Sequence, residues 1–328
     1  MKTVAQPNQS QFSIKFKKFY NNHTYLFSFA ALVVIAAVIN PAFLYYTNMS
    51  TLMLQATIKG VIALGMTLII IAGMIDLSVG STVALVAGLG VVVLNNTGSA
   101  ILMLLFCIAF GAVLGGINGL LVTKGKIAPF IVTLATMSAY RSIIVQLGQG
   151  GPFSVSNDIL PSFRMIAAGS VLGIPNLAII FVIVTVLMTM LMSKFKFGRY
   201  VYAIGSNENA AKLTGIKVDY IKTMCYVITG VLAGLSAFLL SSRLTSITAA
   251  NAGASFEMDA IAAVAIGGTA MSGGRGKIVG TFLGAIMLQM IEGILIAAKI
   301  PPFLIGLVKG IIIIFAVLLQ SKKTSDAK

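Results

Sequence analysis

Ionisable side chains inside apolar runs are expensive, so they are the first candidates for chemistry. Three qualify: Asp76 in "GMIDLSVGS", Glu292 deep in a late apolar run, and Lys309 in the middle of the next. They could form an ion or proton site. Each also has a structural reading. Asp76 or Ser78 could accept backbone N–H bonds at the start of the following helix. Glu292 and Lys309 could pair with each other or with backbone groups. Asn118, Thr133, Thr136, Thr281 and Gln289 are scattered through other apolar runs, where interhelical hydrogen bonding is the default role.

Catalytic equipment is otherwise scarce. The single histidine is His23, and the two cysteines, Cys107 and Cys225, stand alone in apolar surroundings. No HExxH or paired-cysteine spacing occurs, so no metal site or disulfide framework is expected. The run "MSGGRGKIV" looks like a phosphate-binding loop. However, Met271 stands where the first glycine belongs, and Ile278 where Ser or Thr is needed. The chain is therefore expected to hydrolyse no ATP, to hold no cofactor of its own and to be no enzyme.

These residues are positioned by a membrane-embedded body. Of 328 residues, 58% are hydrophobic and 9% charged, with a mean hydropathy of +1.00. A soluble domain carries about 25% charged residues. Thirty-three glycines suit helices that pack closely in lipid. The net charge of +15 is read as loop charge on one side of the membrane, with no implication of nucleic-acid binding. Apolar windows near 20 residues fall at 24–39, 54–73, 79–95, 100–122, 128–147, 175–193, 223–243, 257–272, 277–298 and 302–320. The expectation is an all-α polytopic protein of about ten spans. Residues 1–23 and 321–328 are tails, and 24–320 is one transmembrane domain. With the N-terminus inside, 17 of the 23 Lys and Arg residues fall on inside segments. Both termini and the polar loop 194–222 are thus expected in the cytoplasm. Ten spans also permit a five-plus-five inverted repeat.

Two polar stretches interrupt the spans. Gly267, Gly268, Gly273, Gly274 and Gly276 crowd one junction; they permit positive φ and close backbone packing, and the junction reads as a tight turn or a hinge that flexes. "NENAAKLTGIKV" reads as a two-turn helix, capped by Asn207 and ended by Gly215. That is too short to be stable alone, so it must pack on something.

At these residues the chain resembles the membrane permeases of ribose-type ATP-binding-cassette sugar importers. "GMTLIIIAGMIDLSVGS" (65–81), "GRYVYAIGSNENAAKLTGIKV" (198–218) and "EMDAIAAVAIGGTAMSGGRGKIVGT" (257–281) carry the resemblance. It implies a plasma-membrane subunit that forms the translocation path. The expected partners are separate ATPase subunits binding ATP and Mg, a second permease and an extracytoplasmic sugar-binding protein. It also implies that Glu208, Ala210, Ala211 and Gly215 couple the chain to the ATPases. The rival expectation is an ion-coupled secondary transporter using Asp76, Glu292 and Lys309.

Overall fold

The computed structural model describes residues 24–301, 304–312, 314 and 318. His23, both expected tails and parts of the window 302–320 lie outside the described residues. Long apolar windows become helices because a backbone in lipid must satisfy its own hydrogen bonds. The helices are α1 (Thr24–Ile39), α2 (Tyr46–Ile71), α3 (Val79–Thr97), α4 (Ala100–Thr123), α5 (Pro129–Leu147), α6 (Leu160–Ala168), α7 (Asn176–Lys194), α8 (Lys196–Ser206), α9 (Glu208–Leu213), α10 (Val218–Leu244), α11 (Phe256–Ile266) and α12 (Ile278–Ala297). Residues 304–312 are also helical. Among the described residues seven helices are long and apolar enough to cross a membrane: α2, α3, α4, α5, α7, α10 and α12. The protein is a predominantly helical, multi-pass membrane protein.

Three features depart from the expected spans. α2 begins at Tyr46, eight residues before the apolar window; in this extension Thr51 Oγ1 donates to Thr47 O (2.9 Å), and just inside the window Gln55 Oε1 accepts from Gln289 Nε2 of α12 (2.7 Å). The window 257–272 yields only the 11 residues of α11, because the chain turns at Gly267 and Gly268. The polar connections carry two small antiparallel sheets. β1 (Pro152–Ser154) pairs with β4 (Ser246–Thr248), and β2 (Ser170–Val171) with β3 (Ile174–Pro175).

The core is built around α2 and α10, which run antiparallel through the middle. Thr229 Oγ1 donates to Gly65 O (3.1 Å) and Ser236 Oγ to Ile58 O (2.6 Å). α10 meets α4 along a glycine seam. A methyl on Gly111 would stand 2.2 Å from the Gly230 oxygen, and one on Gly234 2.1 Å from the Cys107 oxygen. Small residues are what allow backbones to approach this closely.

Candidate functional site

Glu292 and Lys309 do meet, and they do so inside a larger group. Lys309 Nζ lies 2.9 Å from Glu292 Oε2 and 3.1 Å from Asp259 Oδ1. Lys59 Nζ lies 2.8 Å from Asp259 Oδ2 and 3.4 Å from Glu292 Oε2. Two bases and two acids alternate in a closed ring that joins α2, α11, α12 and the helix at 304–312. Its formal charge sums to zero, which suits a low-dielectric setting where an unpaired charge is costly. Lys59 and Asp259 were not singled out from the sequence. The available signal was the equal number of acids and bases among the apolar windows of these four elements.

Asp76 belongs to a different network. Its Oδ1 accepts from the Ser78 backbone N (2.9 Å) and Ser78 Oγ (2.6 Å). Asn118 Nδ2 on α4 donates to Ser78 Oγ (2.8 Å), and Tyr226 on α10 donates to Ile75 O (3.1 Å). Ser78 is the N-cap of α3, but its side chain makes no capping bond. The acid thus fastens the turn that precedes α3, and it shares no partner with the ring.

The glycine junction 267–277 packs backbone on backbone. At Gly267 φ is −67°, an ordinary value, so conformational freedom does not explain the glycine. Space does: a methyl there would stand 2.5 Å from the Gly280 carbonyl. Gly268, Gly273 and Gly274 have φ of +84°, +85° and +71°. Gly276 needs its small size, since a methyl would meet the Thr269 side chain at 2.6 Å. Gly274 N donates to Ile71 O at the end of α2 (2.9 Å), and Tyr202 of α8 donates to Gly276 O (2.9 Å). Gly205 is pressed against the same Ile71 oxygen, which would lie 1.7 Å from a methyl there. Gly267→Val overpacks this contact and Gly274→Val forces a branched side chain into left-handed backbone. Each costs roughly 1–3 kcal/mol, so both variants are expected to give less folded protein and reduced uptake. Wild-type yield and uptake in both would show that the junction tolerates slack.

Between α7 and α10 the predicted short helix is present as α9. Asn207 Oδ1 caps it by accepting from Ala210 N (3.0 Å), and Gly215 follows it at φ +81°. Glu208 pairs with Lys212 (2.7 Å) and with Lys222 on α10 (2.6 Å). Hydrogen bonds from Lys212 and then Lys222 hold its carboxyl below the ordinary value. Ala211 is buried within the chain, whereas Ala210 is exposed and Leu213 is 89% exposed. α8, which was not anticipated, is amphipathic and buries Gly198, Val201 and Ile204 at a spacing of three. α9 is therefore anchored by Glu208 and Ala211 and offers Leu213 outward. Among the described residues no group of three or more His, Cys, Asp or Glu side chains could hold a metal ion.

Comparison with known proteins places this architecture. Residues 48–317 match the family described as branched-chain amino acid transport system / permease component. The chain is 45% identical over 294 residues to the ribose import permease protein RbsC of Bacillus subtilis, covering 90% of this chain and 91% of the relative. It is 34% identical over 302 residues to RbsC of Escherichia coli K12 (91% and 93% covered). It is 32% identical over 320 residues to the galactose/methyl galactoside import permease protein MglC of the same organism (92% and 95%). No solved structure matches the chain. A helical multi-pass body with these similarities along nine-tenths of its length belongs to the branched-chain amino acid transport system / permease component family and is a permease subunit of an ATP-binding-cassette importer.

Proposed function

We propose that this subunit carries a sugar, a pentose, hexose or sugar-like signalling molecule, inward across the plasma membrane. The observation that carries the reading is the similarity to ribose and galactoside import permeases over nearly the whole chain. In this reading two permeases, identical or paired, enclose the path. Separate ATPase subunits with ATP and Mg dock below, and an extracytoplasmic sugar-binding protein delivers cargo from above.

The charge distribution supports the orientation. α8, α9, the ends of α2 and α4, the start of α10 and the glycine junction gather at one end of the bundle. Thr123 of α4 meets Thr223 of α10 at 3.0 Å there. Lys124, Arg199, Lys212, Lys222, Arg275 and Lys277 belong to these same segments, so this end is assigned to the cytoplasm, with both termini on that side. Within the ten-span reading, an inverted repeat finds support in part of the packing. α10 packs on α2, α3 and α4, just as α2 packs on α10, α11 and α12. α3 packs on α4 as α11 packs on α12. Exchanging α2–α4 with α10–α12 maps each pairing onto another. α1 and α7 depart from the exchange, since α7 packs on α2 and α1 on α12.

α9 is the ATPase-docking element. Glu208, Ala211 and Gly215 set its position, while Ala210 and Leu213 face the partner. The glycine junction serves as the turn that follows its movement. The charge ring does not favour an ion-coupled mechanism, because Glu292 and Lys309 are engaged with each other and with Asp259 and Lys59.

Proteoliposomes test this. D-ribose or D-galactose uptake should require the ATPase, ATP and the binding protein, and should persist when ionophores collapse ion gradients. Burying a leucine contributes about 1.5–3 kcal/mol. Leu213→Asp should therefore weaken ATPase association about tenfold or more and abolish uptake, while the permease stays folded. Uptake driven by an ion gradient without any ATPase would sink the proposal, as would full co-purification and uptake by the Leu213 variant.

A further inference from the structure

The connection from α10 to α11 dips into the body of the protein. α11 has 11 residues, about 16 Å at 1.5 Å per residue, which is half of a hydrocarbon core of roughly 30 Å. Its last turn runs into Gly267, which sits on Gly280 in the first turn of α12, next to Lys277. Its first residue, Phe256, therefore lies near mid-depth. There Gly253 presses on Gly80 in the first turn of α3; a methyl on Gly253 would stand 2.2 Å from the Gly80 oxygen. Segment 249–255 thus descends as turn-built backbone from β4 at the end of the bundle to this mid-depth contact, with φ of +66° at Gly253 and +63° at Ser255.

One side of this segment is not covered. Ala250, Asn251, Ala254 and Ser255 are exposed, and so is Met258 on the first turn of α11, at 62%. Irregular backbone at this depth does not face lipid. It is buried in protein or it lines a water-filled cavity. Two charged side chains stand beside it. Arg141 Nη1 on α5 donates to Ala249 O (2.8 Å) and Ala252 O (2.7 Å). Glu257 on α11 brings Oε2 to within 2.5 Å of where a methyl on Gly80 would be. Both side chains are partly exposed, and their charges interact.

We infer that segment 249–255 is a wall of the translocation path, and that Arg141 and Glu257 meet the hydroxyl groups of the passing sugar. A guanidinium supplies only donors and a carboxylate only acceptors. A polyol offers both, and an acid–base pair of zero net charge suits uncharged cargo. The inference about hydroxyl groups rests on the sugar-import reading; the wall does not.

The test uses the complete transporter in proteoliposomes, with the buried Cys107 and Cys225 replaced by alanine. Ala254→Cys and Ser255→Cys should react with a small charged methanethiosulfonate, and the reaction should block D-ribose or D-galactose uptake. Val186→Cys, on the exposed face of α7, is the lipid-facing control and should stay unreactive. Introduced thiols at 254 and 255 as inert as the control would overturn the wall, because a second permease or lipid then covers the segment. Glu257→Gln should raise the sugar concentration for half-maximal uptake about tenfold, with unchanged amounts of assembled transporter. Arg141→Lys should shift it in the same direction. An unchanged half-maximal concentration with less assembled transporter would instead make both residues structural and overturn the hydroxyl contact. Reactive thiols in a preparation that takes up neither sugar would support the wall and count against the sugar-import reading.

Discussion

Asp259→Asn is expected to remove most of the folded permease from the membrane. The side chain of Asp259 is 8% exposed and accepts from both Lys59 and Lys309. Without its charge, two ammonium groups share Glu292 alone. Breaking a buried ionic pair by removing one partner costs about 3–5 kcal/mol, against a total stability of roughly 5–15 kcal/mol. The measurement is the yield and thermal midpoint of detergent-solubilised protein. The double variant Asp259→Asn, Lys309→Met tests the cause. It deletes one acid and one base and leaves the Lys59–Glu292 pair at 3.4 Å. It should recover most of the loss. A double variant no better than the single one would show that packing at Asp259, rather than charge balance, is what matters.

Gly230→Leu should be at least as damaging. A methyl at Gly230 already falls 2.1 Å from the Gly111 oxygen, and that atom is backbone in the middle of α4. Neither helix can yield locally, so a leucine has to prise the seam apart along several turns. Overpacking usually costs about 1–3 kcal/mol where side chains can shift, and here the obstruction is main chain, so the expected cost is larger. The predicted result is loss of the monodisperse peak on size exclusion. Gly116→Ala is the control: its added methyl meets Val227 Cγ2 at an ordinary 3.7 Å, and it should behave as wild type. Equal behaviour of the two variants would mean that α4 and α10 are not held by backbone contact.

Much of the bundle was legible from apolar windows. The ends of α1, α3, α4, α5 and α7 fall within two residues of the expected spans, because hydropathy and helix length report on the same layer of lipid. The cap at Asn207 and the stop at Gly215 were equally legible, since both are local rules. The pairing of Glu292 with Lys309 followed from the cost of leaving either alone. What escaped depends on tertiary placement. The window 257–272 is largely apolar, and its hydropathy outweighed the turn that Gly267 and Gly268 signal; helix occupies only its first part. Lys59 and Asp259 became meaningful only once α2, α11 and α12 were side by side. For Gly267 the sequence left backbone freedom and close packing both open, and the contact with Gly280 selects packing, a choice that a residue's identity alone does not make.

The joint where α8 meets the end of α2 and the glycine junction has a mechanical consequence. Gly205, Ile71 and Gly274 touch through main chain, and Tyr202 adds a bond to Gly276. Main chain meets main chain there, which leaves little room for the joint to give. A displacement of α8 would be passed directly, through main chain, to the end of α2 and to the junction between α11 and α12. Those elements also carry three of the four members of the charge ring, at Lys59, Asp259 and Glu292. The ring sits along the same levers and resists their separation, like a spring set across the arms of a clamp. Stiffness at one end and restoring force further along are the two ingredients of a device that snaps between positions rather than drifting.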